Sequence, residues 1–229
     1  MIKAKISEIF RSLQGEGKYV GVAQVFVRFF GCRLSCRNCD TPQGKEPSYG
    51  FKEYTARGLL KAVLALSKGV HSISLTGGEP LEQSACLESF LPLLKAEGHR
   101  TYLETNGILF KELQPLIGFL DIIAMDMKLP SATGGKIFWE DHARFLAVAK
   151  KRDVFVKAVI TLDTALKDVG LAAKLASDVN RGIVFILQPN HCEWSKDLFM
   201  VCQKAHKIAR KYLDDVRIIP QMHKQWGIR

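Results

Sequence analysis

Short apolar runs with strand-like composition recur along this chain, and longer segments with helical periodicity lie between them. The strand-like runs are 24–30, 72–75, 101–104, 122–125, 154–160, 183–187 and 216–219. Helical patterns cover 55–67, 84–97, 138–150, 165–180 and 196–212. Thr55 is placed to cap the first helix, and Gly69 and Gly98 stand just past helix ends. This alternation predicts an α/β fold: a parallel sheet, closed or partly closed, with helices outside. Active-site groups in such folds gather at the C-terminal ends of the strands. A chain of 229 residues suffices for one core, so a single domain spanning 1–229 is expected.

The first run ends at Gly31, and the loop after it carries Cys32, Cys36 and Cys39 at C-x3-C-x2-C spacing. Thiolates this close repel one another unless a metal or a cluster takes up the charge. Three ligands from one loop suit a cubane iron-sulfur cluster with one iron left without a protein ligand. Structural zinc wants four ligands, and ferredoxin-type runs supply a fourth cysteine. The alternative is a chance grouping of free thiols. Cys86, Cys192 and Cys202 lie in or beside helical segments and read as packed thiols.

Other strand ends are polar. Thr76-Gly77-Gly78-Glu79-Pro80 is either a glycine-rich turn or a place where backbone approaches a ligand, with the Glu79 carboxylate available to an ammonium group. Glu104-Thr105-Asn106-Gly107, Asp126-Met127-Lys128 and Leu187-Gln188-Pro189-Asn190 close later strands, each an ordinary loop or a ligand contact. Near the start, Glu16 sits between two glycines. Near the end, Trp226 and Ile228 suggest a segment that docks back on the body and carries His223 and the terminal carboxylate to a defined place.

No apolar run approaches the ~20 residues of a membrane span. The opening residues lack a secretory apolar region, and six cysteines then point to a reducing compartment, so a cytoplasmic location is expected. The formal charge of +10 is dispersed, and Lys204, Lys207 and Lys211 form a solvated helical stripe. An anionic small molecule or an acidic electron donor accounts for that charge at least as well as nucleic acid, and no direct nucleic-acid partner is expected.

The cysteine loop with the downstream Gly-Gly-Glu resembles the radical S-adenosylmethionine (SAM) superfamily. Leu13-Gln14-Gly15-Glu16-Gly17, Phe26-Val27-Arg28, Cys39-Asp40-Thr41, Thr76-Gly77-Gly78-Glu79-Pro80 and Pro220-Gln221-Met222-His223-Lys224 together resemble the 7-carboxy-7-deazaguanine synthase family. The resemblance implies an incomplete TIM-like (βα) barrel, commonly a homodimer, with a [4Fe-4S] cluster on Cys32, Cys36 and Cys39. It implies SAM contacts at Asn38, Cys39, Asp40, Gly78, Glu79, Asp126, Met127, Lys128, Leu187, Gln188, Pro189 and Asn190. It implies magnesium on Thr41, and substrate contacts at Leu13, Gln14, Gly15, Glu16, Arg28, Thr76, His223 and Arg229. The implied reaction is a radical ring contraction of 6-carboxy-5,6,7,8-tetrahydropterin to 7-carboxy-7-deazaguanine with loss of ammonia, in the queuosine and 7-deazapurine pathway that serves tRNA modification. An electron donor such as flavodoxin or ferredoxin is implied as partner. The alternatives are a glycyl-radical activating enzyme, which would lack the pterin-recognition opening, and a non-catalytic iron-sulfur module, which would not need polar residues at so many strand ends.

Overall fold

The computed structural model describes residues 2–41 and 47–228. The strands are β1 (Lys3–Leu13), β2 (Ala23–Phe29), β3 (Lys52–Thr55), β4 (Ser72–Gly77), β5 (Thr101–Thr105), β6 (Ile122–Asp126), β7 (Asp153–Ile160), β8 (Phe185–Pro189) and β9 (Val216–Ile218). They form one sheet in the order β3-β1-β2-β4-β5-β6-β7-β8-β9. From β2 through β4 to β9 all pairings are parallel. β1 lies antiparallel between β2 and β3. Among the described residues nothing pairs β3 with β9, so the sheet stays open, as in an incomplete barrel.

The expected helical segments hold α1 (Ala56–Leu64), α2 (Ser84–Ala96), α5 (Trp139–Ala149), α6 (Leu166–Val179) and α7 (Lys196–Ala209). Three short helices, α3 (Phe110–Leu113), α4 (Pro130–Thr133) and α8 (Met222–Trp226), follow strand ends. Local chemistry sets two starts: the Thr55 hydroxyl accepts from the Gly58 amide, and Ser195 from that of Leu198.

β1 and β3 lie outside the strand runs read from the sequence. β1 interleaves Lys3, Lys5, Glu8 and Arg11 with its apolar residues, and its register slips between Ile6 and Glu8. Neither a clean alternation nor an apolar run survives that slip.

Side-chain parity gives the sheet two faces. Val25, Val27, Ile73, Leu75, Leu103, Ile123, Met125, Val156, Phe185 and Leu187 point outward into the main core beneath the helices. Each such side chain, fully buried, contributes roughly 1.5–3 kcal/mol. The opposite parity faces inward. There Tyr102, Ile122, Ala124, Phe155 and Ile186 form a second, smaller cluster, packed by Tyr19, Val184 and Ile219. Past this apolar floor the inward residues become polar, and the site begins.

Candidate active site

A cavity of about 470 Å³ opens on the inner face of the sheet. Counting in twos along each strand names its wall: Phe26 and Arg28 on β2, Thr76 on β4, Glu104 on β5, Ala124 and Asp126 on β6, Lys157 and Val159 on β7, Gln188 on β8. The cysteine loop covers one side with Cys32, Cys36, Asn38, Cys39, Asp40 and Thr41. Leu13 to Glu16, leaving β1, and Gln221, His223 and Lys224, after β9, complete the lining beside Asp40.

The cysteine loop is tied down by backbone. Arg37 N–H donates to Thr133 O at 3.0 Å, and the Gly78 and Glu79 amides donate to Phe29 O at 2.9 Å and Gly31 O at 2.7 Å. Gly77 makes that close approach possible: it sits at φ +122, and a Cβ there would lie 2.4 Å from Phe29 O. Cys32 and Cys36 are half-buried and Cys39 is exposed, and none of the three is in a disulfide. Burial pushes the Cys32 thiol up, as do the carboxylates of Glu79 and Glu82 and the neighbouring Cys36, while the Leu34 backbone counters them. Three thiols on one loop at the rim of a deep cavity fit a cluster that leaves one iron facing inward.

On the floor, the Gln14 amide donates to Gln24 Oε1 at 3.0 Å and to Glu104 Oε1 at 2.9 Å, and its Oε1 accepts from the Glu16 amide at 3.0 Å. Ser74 and Thr76 also donate to Glu104, at 3.2 and 2.9 Å. Arg28 Nε reaches Glu8 at 3.0 Å and the guanidinium lies over the Phe10 ring at 5.8 Å. The result is a fixed array of carboxylates, amides and one guanidinium.

Two half-buried ammonium groups balance the acids. Lys128 Nζ meets Asp126 Oδ2 at 2.9 Å, and Lys157 Nζ bonds Glu16 Oε2 and lies 3.8 Å from Asp126. Desolvation would lower both lysines, but Asp126 for the one, and Glu16, Asp126 and Glu104 for the other, hold them well above the ordinary lysine range. Burial would raise Asp126, yet Lys128 and Lys157 keep it below the usual carboxylate value. Asp40 follows the same pattern: desolvation is outweighed by Lys157, by hydrogen bonds from Gln221 and Thr41, and by Lys128. Desolvation also lowers His223, whose Nδ1 stands 3.9 Å from Glu16.

Glu16, Asp40 and His223 offer ligand atoms all within 4.8 Å of one another, a spacing a metal ion could use. The Gln221 amide and the Lys157 ammonium already donate to these carboxylates, so Glu16 and Asp40 are engaged in hydrogen bonds. Thr41 Oγ1 donates to Asp40 Oδ1 at 3.1 Å and lines the cavity, which leaves hard oxygen donors at the loop. Asp126 Oδ1 and Gln188 Oε1 are buried acceptors with no partner among the described residues, a vacancy suited to ligand N–H or O–H groups.

Most residues expected from the sequence meet at this cavity: Leu13, Gln14, Gly15, Glu16, Arg28, the three cysteines, Asn38, Asp40, Thr41, Thr76, Gly78, Asp126, Lys128, Gln188, Asn190 and His223. Four do not line it. Leu187 and Met127 point outward into the main core, and Pro189 shares the outward parity of Leu187 on β8. Glu79 is fully buried, its carboxylate accepting from Leu81 N at 3.1 Å, Thr105 Oγ1 at 2.9 Å and Asn106 N at 2.8 Å. Burial raises its pKa to about 7 against those bonds. In this structure the Glu79 carboxylate braces the ends of β4 and β5. Arg229 lies outside the described residues.

Lys157, Gln24 and Gln221 are site residues that sequence reasoning missed, and Glu104 was seen only as a polar strand end. Their signal was a polar side chain at inward parity within or just past an apolar run, as Lys157 is in Val154-Phe155-Val156-Lys157-Ala158.

Residues 26–168 match the Radical SAM superfamily. A 7-carboxy-7-deazaguanine synthase of Geobacter sulfurreducens is 40% identical, covering 98% of this chain and 97% of its own. One from Methanothermobacter thermautotrophicus is 33% identical over 100% and 99% of the two chains. In fold, the chain is similar to the crystal structure of QueE from Escherichia coli, with a TM-score of 0.68 over 96% of this chain and 95% of that one at 23% identity. The superfamily match covers the cysteine loop and the ends of β2 and β4 to β7 that wall the cavity, the relatives align from end to end, and the chain belongs to the 7-carboxy-7-deazaguanine synthase family of radical SAM enzymes.

Proposed function

We infer that this chain converts 6-carboxy-5,6,7,8-tetrahydropterin to 7-carboxy-7-deazaguanine with release of ammonia. The observation that carries the reading is one cavity lined both by a three-thiol loop and by Gln14, Glu16, Glu104 and Arg28. A pterin presents a guanine-like edge of N–H donors beside a carbonyl acceptor, and carboxylates and carboxamides on a rigid floor are its natural complement. Arg28 suits the substrate carboxylate, because a guanidinium can meet both oxygens at once.

Cys32, Cys36 and Cys39 would hold the [4Fe-4S] cluster, which with SAM supplies a 5′-deoxyadenosyl radical that takes and returns a substrate hydrogen. The chain's own residues bind, orient and shield. Asp126, Lys128, Gln188 and Asn190 line the part of the cavity proposed for SAM, and the unpartnered oxygens of Asp126 and Gln188 would accept its donors. Asn38, Cys39 and Asp40 from the loop and Gly78 from the β4 turn are proposed to complete that subsite. Thr41, with Asp40 beside it, is the proposed oxygen donor to magnesium, the substrate and water supplying the rest. Leu13, Gly15, Thr76 and His223 are proposed to border the pterin. A homodimer and an electron donor of the flavodoxin or ferredoxin kind belong to the same reading, as does a place in the queuosine pathway of tRNA modification.

The test is anaerobic turnover of the reconstituted protein with SAM, dithionite, magnesium and the pterin. The deazaguanine should form without net consumption of SAM. Alanine at Cys32, Cys36 or Cys39 should remove both the visible absorption of the cluster and all turnover. Deoxyadenosine release with no deazaguanine product would refute the assignment of substrate.

A further inference from the structure

Glu16 is held from two sides by residues that are distant from it in the chain. Lys157, in the middle of β7, bonds Oε2. Gln221, just after β9, donates to Oε1 at 2.8 Å, and the same amide donates to Asp40 of the cysteine loop. Gln221 is itself buried, so its two N–H groups have no water to fall back on. The segment that carries it is seated on the residue before Glu16. Met222 N–H donates to Gly15 O at 2.9 Å, and His223 packs so closely that a Cβ on Gly15 would lie 2.5 Å from His223 Cβ. Glu16 and Asp40 are like charges at close quarters. Without the amide and the ammonium between them they would repel, and the Glu16 carboxylate would turn away.

We propose that Lys157 and Gln221 are positioning residues for the pterin: by taking one oxygen each, they fix the Glu16 carboxylate at the orientation that accepts the substrate's N–H edge. The proposal rests on the pterin reading above. It concerns residues that would touch Glu16 rather than the reacting atoms. Lys157 also lies near Asp126 and Gln221 also donates to Asp40, so the comparison in a Glu16→Gln background isolates the part of each effect that acts through Glu16.

A double-mutant cycle on the reconstituted holoenzyme tests this, with the Kd of 6-carboxy-5,6,7,8-tetrahydropterin measured by calorimetry. Lys157→Met and Gln221→Leu should each weaken pterin binding by about fivefold or more. In a Glu16→Gln background the same two substitutions should change Kd by less than about twofold, since the group they orient is gone. Gln221→Glu, which sets a third carboxylate against Glu16 and Asp40, should be worse than Gln221→Leu. If Lys157→Met does not fold, Lys157→Gln carries the same comparison. Unchanged pterin affinity in the single variants would overturn the proposal. So would effects that persist in full beside Glu16→Gln, which would mark a general structural role. Wild-type enzyme that fails to bind the pterin would instead remove the substrate reading on which the proposal stands, and that failure shows in the unmutated protein alone.

Discussion

At the scale of single residues, Glu104 decides the most. One carboxylate accepts from Gln14, Ser74 and Thr76, and it lies at the end of β5 on the inward face. Those donors come from two segments, Gln14 just past β1 and Ser74 and Thr76 on β4, so Glu104 aligns the floor as well as facing the cavity. Glu104→Gln turns one acceptor into a donor and leaves a buried N–H facing others, a cost of roughly 1–3 kcal/mol for the unsatisfied group. Product formation should fall about tenfold to a hundredfold. Release of deoxyadenosine without pterin should persist, since the thiols and Asp126 lie on other elements. Steady-state assay of both products in one variant checks this, and equal loss of the two would show that the floor supports the cofactor subsite too.

At the scale of the element, α5 carries an unusual burden. His142 is fully buried on it, beside Phe138 and Trp139, and neither ring nitrogen has a hydrogen-bond partner among the described residues. Burial lowers its pKa to about 4 from the ordinary 6.5, against the Asn106 backbone and Asp126, which favour the charged form. The unfolded chain therefore binds the proton more readily. This contribution to stability is complete above about pH 6.5 and is lost as pH falls from there through 4. Between pH 7.5 and 5.5 the loss is on the order of 1 kcal/mol. His142→Leu should flatten that part of the profile and, by removing two unpartnered polar atoms, should not weaken the protein at pH 7.5. Urea midpoints of both proteins at the two pH values decide it; an equal drop in the variant would assign the acid sensitivity elsewhere.

At the scale of the whole molecule, the two chain ends build one side of the site together. β1 delivers Gln14 and Glu16, α8 follows β9 with His223, and Gly15 is where they touch. Gly15→Ala places a methyl against the backbone and Cβ of His223 and should push the C-terminal segment off the floor. Catalytic efficiency with the pterin should drop at least about tenfold, with the cluster spectrum unchanged. Gly118→Ala meets nothing within 4 Å and serves as the neutral control. Similar kinetics in both variants would show that the end segment is not needed where it lies.

The sequence by itself determined the local and the periodic. Strand and helix alternation in β2 and from β4 to β9, the Thr55 cap and the three thiols of one loop all depend on neighbours in the chain, so they are legible there. Strand parity was legible as well: it separates Asp126 and Gln188, which face inward, from Met125 and Leu187, which cannot. What only the tertiary structure decided is what distant segments do to one another. β1 is a strand because β2 and β3 flank it, despite a slipped pattern. Glu79 turned out a brace because Thr105 and Asn106 come up beside it. Lys157 and Gln221 converge on Glu16 from separations of 141 and 205 residues. A hydrogen bond has no sequence period, and a buried charge reveals its partner only when folding brings the two together.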